Sequence, residues 1–327
     1  MVDQLRWWTY ERQRLGRAAP DARTALRDVV AVYSSHPTAP LALHARAKKL
    51  DAAAFGRLAV LRLPAMRKSI HLMPRETAHL PFRALPEPAA DGARRLKHFK
   101  LSEKRYEELR AKVREAAQEP ATLQELREAA GAEAKELKGA TAQMTRTGEL
   151  VRVGAAGLRS NDLRYVAADI EEADADEALA WLAGQYLRAF GPVRPKDFTW
   201  WSGAGARRAK GALAANDTEE LDGGLLIRKE DRKGFEAAKP LTGAVDLLPK
   251  WDCYQMGYAP DGRDRFAHPE VVKQCYDFRG DGRPVILVDG EAAGTWERLE
   301  VDLFEKATPK VRKAIDERIG AVKAFLG

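Results

Sequence analysis

Helical periodicity dominates the first third of the chain. Leu26, Val29, Val30 and Tyr33 recur at the three- and four-residue spacing of one buried helix face. We expect this helix to end near Pro37, because a proline disfavours helical geometry in the residue before it.

Short helices and extended segments follow this first helix. Pro40 can occupy the first turn of a second helix that runs through Ala45. A third helix is predicted over residues 52–63. Residues 66–73 then have the pattern of a short extended segment before Pro74.

Two later parts of the chain have the same order of elements, helices followed by short strands. The first begins with a predicted linker, 86–92. It continues with a helix over 102–118 with Ser102 as N-cap, a short helix with Thr122 as N-cap and a helix over 132–146, and then with strands over 149–153 and 164–168. The second has helices over 177–190, 195–201 and 205–215 and a strand over 224–229. This order, repeated after about 70 residues, is typical of winged helix-turn-helix units.

From about residue 241 the pattern changes to strands and turns. Residues 284–290 and 294–297 form a predicted hairpin around Asp289-Gly290, and a helix over 309–326 closes the chain. We therefore predict a mostly α fold with small β units, in which tandem winged helix-turn-helix domains precede a C-terminal β-barrel-like domain. The predicted domains are 1–90, with the candidate active site and a hairpin, then 91–173, 174–240 and 241–327.

Positive charge is concentrated at one end of this 327-residue chain of net charge +7. Residues 1–90 contain 15 Lys and Arg against 7 Asp and Glu, a net charge of +8. Such localised charge indicates a polyanionic partner, although a basic surface that only aids solubility gives the same count.

The sequence has few features of a metal-binding, disulfide-rich or membrane protein. Cys253 and Cys275 lack both CxxC spacing and a nearby histidine cluster, so we expect no metal site and no disulfide framework. No apolar run approaches the ~20 residues that span a bilayer, and the first residues lack the apolar core of a signal peptide. We expect a cytoplasmic protein.

Four segments occur in the order and at the approximate separations found in a known family. They are Val32–Arg46, Met66–Leu72, Leu248–Tyr254 and Pro284–Trp296. The chain thereby resembles the AlkZ-like winged-helix DNA glycosylases, which remove alkylated bases and unhook interstrand crosslinks. The resemblance implies three winged-helix units and a β-barrel that curve around duplex DNA.

Members of that family carry a Gln-x-Gln or Gln-x-Asp signature just before a proline or similar break. Aligned through Pro37, the two signature positions fall on Tyr33 and Ser35. The candidate catalytic residues are therefore His36, which can orient or deprotonate a water, Ser35 and Ser34 as hydrogen-bonding partners, and Tyr33. Alternatively, the two hydroxyls and the imidazole only terminate a helix, and Tyr33 belongs to the core or a pocket wall.

Candidate DNA contacts come from a hairpin and two helices. They are Arg67, Lys68 and His71 in the hairpin, Gln143 and Arg146 on one helix, and Arg207, Arg208 and Lys210 on another. Such cations typically contact phosphates without reading sequence; the alternative is a solvated surface. Asp252 is either an accessory carboxylate or a turn cap.

The resemblance implies a DNA repair glycosylase that hydrolyses the N-glycosidic bond of alkylated purines in double-stranded DNA, crosslinked DNA included. An N7-alkylated purine is already cationic, so placing a water and stabilising the charged sugar suffices. We expect an enzyme that acts as a monomer without metal or organic cofactor. The alternative is a non-catalytic winged-helix DNA-binding or regulatory protein that has lost the signature.

Overall fold

Helices make up nearly half of the chain and are joined by small antiparallel sheets, as predicted. The structure, a computed structural model, describes residues 2–154, 157–160 and 162–327. The N-terminal part contains helices α1 Val2–Arg12, α2 Ala22–Asp28, α3 Ala39–His44, α4 Ala52–Gly56 and α5 His79–Ala84, and strands β1 Val32–Tyr33, β2 Val60–Pro64 and β3 Ile70–Pro74.

The prediction of one helix up to Pro37 is wrong. Helix α2 stops at Asp28, and Val30 adopts a left-handed backbone with φ of 73° that turns the chain into β1. Residues 29–32 are all buried, so the apolar pattern continues across the turn and does not distinguish helix from strand. The helix predicted over 52–63 is also too long, because α4 ends at Gly56 and the chain continues as β2.

Strands β2 and β3 form a hairpin. It includes the predicted hairpin segment, Met66–Leu72, as its turn and second strand, but its first strand occupies mostly residues predicted as helix. Its turn, Met66–Lys68, places Arg67 and Lys68 in left-handed geometry, with φ of 52° and 59°. This geometry costs a side-chain-bearing residue about 1–2 kcal/mol. Strand β1 pairs with β3 so that Tyr33 lies directly opposite His71.

The second part of the chain forms its own helical core. It contains α6 Ala89–His98, α7 Glu103–Ala116, α8 Leu123–Ala130 and α9 Ala134–Thr147, and strands β4 Leu150–Val153 and β5 Arg164–Ala167. The predicted N-caps Ser102 and Thr122 are confirmed, and Thr122 forms a full capping box with Glu125. The predicted linker is partly wrong, because α6 begins within it. All five strands so far form one sheet in the order β1-β3-β2-β4-β5.

The third part repeats the order of helices followed by a hairpin. Its elements are α10 Ala175–Phe190, α11 Pro195–Ser202, α12 Ala206–Ala214, β6 Thr218–Leu221, β7 Leu225–Arg228 and α13 Arg232–Glu236. The long helix α10 is buried along one face and packs on α5 and α12. The winged-helix assignment and the domain boundaries stay predictions.

The C-terminal part is an open sheet with a covering helix. It contains β8 Val245–Leu248, α14 Pro269–Val272, β9 Val285–Val288, β10 Glu291–Glu297, β11 Glu300–Leu303 and α15 Pro309–Leu326. The strand order is β11-β10-β9-β8, and within the described residues the outer strands do not pair to close a barrel. Helix α15 packs against β8.

Across the described ranges, no helix has both the length and the apolar composition needed to cross a lipid bilayer.

Candidate functional site

A cavity of about 460 Å³ opens where β1, the hairpin turn, α11 and the C-terminal part meet. Its walls include four residues that the sequence singled out, Tyr33, His36, Arg67 and His71. The other lining residues are Ala31, Met66, Ser69, Trp201, Trp251, Cys253, Met256, Arg279 and Asp281. The fold thus brings two candidate residues from segment 33–36 and two from segment 67–71 to a common site.

Tyr33 and His71 stand side by side at the floor of the cavity. They face each other across the β1–β3 pair, and side chains of directly opposed residues project from the same face of a sheet. Their ring centroids are 6.2 Å apart in an edge-to-face arrangement. His71 is only 9% exposed, so it faces the cavity rather than bulk solvent.

The environment of His71 keeps its imidazole neutral. Burial lowers the pKa of His71 to about 4, and the nearby charge of Arg67 acts in the same direction. The ring nitrogen Nδ1 lies 2.9 Å from the carbonyl oxygen of Ser69. Because a carbonyl only accepts hydrogen bonds, Nδ1 carries the proton and Nε2 has the free lone pair.

The hydroxyls of Ser34 and Ser35 are engaged in backbone and sheet contacts. Ser34 is buried, and its Oγ accepts a hydrogen bond of 3.0 Å from Nε of Arg62. Ser35 Oγ accepts a hydrogen bond of 3.2 Å from the backbone N–H of Ile70. Neither serine is among the residues that line the cavity. Both hydroxyls hold the end of β1 against its neighbours.

His36 lies exposed at the rim of the cavity, stacked on Trp251. The two rings are 4.4 Å apart and nearly parallel, at 14°. Tyr33 approaches the same indole at 5.2 Å, and the Lys250 ammonium lies 4.2 Å from its centre. The three rings of Tyr33, His36 and Trp251 form what we call the aromatic wall.

Arg67 forms the opposite rim with a second set of stacked groups. Its guanidinium lies 4.2 Å from the ring of Trp200, which Arg263 also approaches at 5.5 Å. Partial burial and the charge of Arg263 lower the pKa of Arg67. Gly203, at the end of α11 with φ of 77°, brings its backbone so close to Arg67 that an added Cβ would lie 3.3 Å from Arg67 Cα. This contact fixes the turn of the hairpin against α11.

Asp252, the possible accessory carboxylate, is sealed within the core. Both of its oxygens accept hydrogen bonds from Arg46, at 2.8 and 2.7 Å, and neither side chain is exposed. Asp252 also accepts a bond of 2.9 Å from the backbone N–H of Tyr254. The structural alternative for Asp252, a role in holding its loop, therefore matches its surroundings.

The remaining candidate DNA contacts are distributed over two other places. Lys68, Gln143 and Arg146 line a separate cleft of about 300 Å³ on the other side of the hairpin turn. Lys68 pairs there with Asp91, and Gln143 accepts a hydrogen bond from Arg95.

Helix α12 carries the other three cations. Arg207 and Lys210 are exposed, three residues apart, and form no ion pair within the part of the chain that the structure describes. Arg208 instead donates hydrogen bonds to Asp176 and to the carbonyl oxygens of Ala84 and Ala175. Arg208 therefore holds α12 in place, and only its two neighbours are free to reach a ligand.

Sequence reasoning missed Trp251, Arg279 and Asp281. Among the lining residues of the described chain, Asp281 is the one carboxylate. Its segment, 277–281, carries no motif, so no signal pointed to it. Trp251 was within reach, because it lies in the same sequence block as Asp252, but only the structure shows which of the two side chains enters the cavity.

No group of three or more potential metal-ligating side chains occurs among residues 2–154, 157–160 and 162–327.

No sequence in the set of curated proteins matches the chain. Among solved structures, the fold is similar to that of the Streptomyces sahachiroi DNA glycosylase AlkZ, with a TM-score of 0.75 and 20% sequence identity. That match covers 97% of this chain and 96% of the other. A family model described as "DNA glycosylase AlkZ-like" matches residues 26–325. The chain therefore belongs to the AlkZ-like DNA glycosylase family.

Proposed function

We propose that this protein hydrolyses the N-glycosidic bond of alkylated purines in duplex DNA and that the cavity beside Tyr33, His36 and His71 receives the damaged base. The observation that carries this proposal is the convergence of the segment at the family's signature position with the hairpin on one aromatic cavity. Its volume of about 460 Å³ falls in the range of roughly 300–1,000 Å³ found for small-ligand sites.

The aromatic wall suits an extruded, positively charged base. Glycosylases take the target base out of the duplex and hold it between aromatic or apolar side chains. A ring that bears positive charge gains further from the face of Tyr33 through cation–π attraction. Asp281 places one negative charge in the cavity lining, where it would stabilise the cationic sugar that forms as the bond breaks.

The reaction requires little beyond a positioned water. The alkylated purine leaves as a neutral base, so no acid is needed to protonate it. His36 at the rim is suited to orient the base or a water beside Trp251. Ser34 and Ser35 act indirectly in this proposal, because their hydroxyls fix the strand end that carries His36. We extend the proposal to interstrand crosslinks, since the same bond is broken there.

A base-release assay tests the function. The full chain is incubated with duplex oligonucleotides that carry a single 7-methylguanine or 3-methyladenine, and abasic sites are cleaved with alkali. We expect strand cleavage at the lesion, and none with the unmodified duplex. Tight binding to both lesions without base release would refute the enzymatic proposal.

Arg67 is expected to contribute a phosphate contact from the exposed hairpin turn. Arg67→Ala should weaken binding to undamaged duplexes of any sequence and reduce the slope of log affinity against log salt by about one. Fluorescence anisotropy at several salt concentrations measures this. Lys313→Ala on α15, which removes an exposed cation outside the cavity lining, is the control and should leave the slope unchanged.

A lesion-independent DNA-binding or regulatory protein is the second candidate. It is favoured by Tyr33 and Ser35 at the signature positions and by the engagement of both serine hydroxyls. Equal anisotropy curves for plain and alkylated duplexes, together with no base release, would support this role.

A further inference from the structure

His71 is the residue most closely tied to the missing signature. The family's first signature position falls on Tyr33, whose phenol is a poor substitute for a carboxamide. His71 is the cross-strand partner of Tyr33, and both side chains line the same cavity. The sheet therefore places the imidazole of His71 beside Tyr33, the position at which the family carries a glutamine carboxamide.

The hydrogen bonds of His71 leave one nitrogen available. Nδ1 donates to the Ser69 carbonyl at 2.9 Å, which fixes both the tautomer and the orientation of the ring. Within the described residues no protein group hydrogen-bonds to Nε2. Tyr33 packs edge-to-face on the imidazole and further restricts its rotation.

The other polar groups of the segment are less suited to hold a water. Ser34 and Ser35 already accept hydrogen bonds from Arg62 and Ile70. His36 is exposed at the rim and stacked on Trp251, where bulk water competes for its nitrogens. His71 combines burial, a fixed ring and an unused acceptor.

We propose that Nε2 of His71 accepts a hydrogen bond from the attacking water and so takes the part of the family's missing carboxamide. This inference rests on the proposed glycosylase function and assigns the water-holding residue of that site. As the C1′–N9 bond of the alkylated purine breaks, its electron pair goes to the base, which leaves neutral. The water oxygen bonds to C1′, and the water proton passes through Nε2 to bulk solvent.

A neutral imidazole of low basicity is adequate for this step. The sugar is strongly electrophilic once the base departs, so orientation of the water contributes more than proton abstraction. A protonated imidazole would repel the cationic sugar, and burial of His71 disfavours that form.

Two substitutions separate water holding from structural support. In His71→Asn the amide nitrogen can replace Nδ1 and keep the bond to Ser69, but nothing remains at the position of Nε2. In His71→Gln the amide reaches the position of Nε2 and loses the Ser69 bond. If His71 holds the water, single-turnover base release from a 7-methylguanine duplex should fall about 100-fold in H71N and stay within about tenfold of the unsubstituted protein in H71Q. The reverse order, or two variants as active as the unsubstituted protein, would overturn the proposal.

A second measurement needs neither a variant nor activity. Nitrogen-15 NMR of the histidine rings in the full, unsubstituted chain at pH 7 should show a neutral His71 with the proton on Nδ1. A charged ring, or a proton on Nε2, overturns the inference even if base release is observed. An unsubstituted protein that releases no base, but whose His71 has the expected tautomer, instead refutes the proposed glycosylase function and with it the role of His71 in that reaction.

Discussion

Replacement of Asp252 by alanine should lower the free energy of unfolding by about 3–5 kcal/mol, the cost of leaving a buried charge without its partner. Arg46 and Asp252 have no exposed side-chain surface and form two hydrogen bonds of 2.8 and 2.7 Å. Burial alone would lower the pKa of Arg46, but the Asp252 carboxylate raises it above its ordinary value, so the guanidinium stays charged in the core. Urea unfolding followed by circular dichroism measures the difference.

Asp169→Ala is the matched control for this experiment. Asp169 also accepts two hydrogen bonds from an arginine, Arg114, but its side chain is 86% exposed. Exposed pairs contribute roughly 0–1 kcal/mol, so D169A should unfold almost like the unsubstituted protein. Replacing both Arg46 and Asp252 by apolar residues of similar size should recover much of the loss, because no charge is then left unpaired. Equal, small effects of D252A and D169A would contradict the assignment of Asp252 as a structural residue.

Replacement of His36 by alanine should reduce the rate of base release far more than the affinity for DNA. The substitution removes the ring that stacks 4.4 Å from Trp251 and the nitrogens at the rim of the cavity. We expect a loss of about 10- to 100-fold in single-turnover rate, as for the removal of a positioned catalytic group. Affinity should change less than about threefold, because phosphate contacts supply most of it.

His98→Ala provides the comparison for His36. His98 is exposed and packs against an aromatic neighbour, Phe99, at 5.0 Å, but it does not line the cavity. H98A should retain both rate and affinity. If H36A instead loses rate and affinity in the same proportion, His36 supports the fold of the rim and has no part in the reaction.

The sequence predicted the later helices better than the first segment, for a physical reason. Among the helices from Ser102 to Thr147, α7 and α8 begin at the N-caps Ser102 and Thr122, and α8 and α9 end at Gly131 and Gly148. Such local signals are visible in the sequence. The five residues from Val29 to Tyr33 are all apolar or aromatic, so their pattern fits a buried helix and a buried strand equally well. Its conformation depends on pairing with β3, a contact between residues about 40 positions apart, as for Tyr33 and His71.

The candidate site was only partly accessible to prediction. Chemistry-bearing residue types drew attention to Tyr33, His36, Arg67 and His71, and the cavity contains all four. Asp252 drew attention for the same reason, but its burial against Arg46 depends on the tertiary structure. The sequence also grouped His71 with the cations that contact phosphates. The charge of its imidazole depends on burial, however, and no local sequence pattern encodes burial.

The shared five-stranded sheet limits how the chain can be divided. Strand β2 pairs with β3 on one side and with β4 of the second predicted domain on the other. A fragment that ends at residue 90 would leave β2 as a bare edge, and unprotected edges recruit strands from other chains and aggregate. Such a fragment would also lack Trp251, one of the three rings of the aromatic wall. The N-terminal region therefore cannot be excised by itself, and shortened versions of this protein need strands β4 and β5 of the second part of the chain to keep the sheet covered.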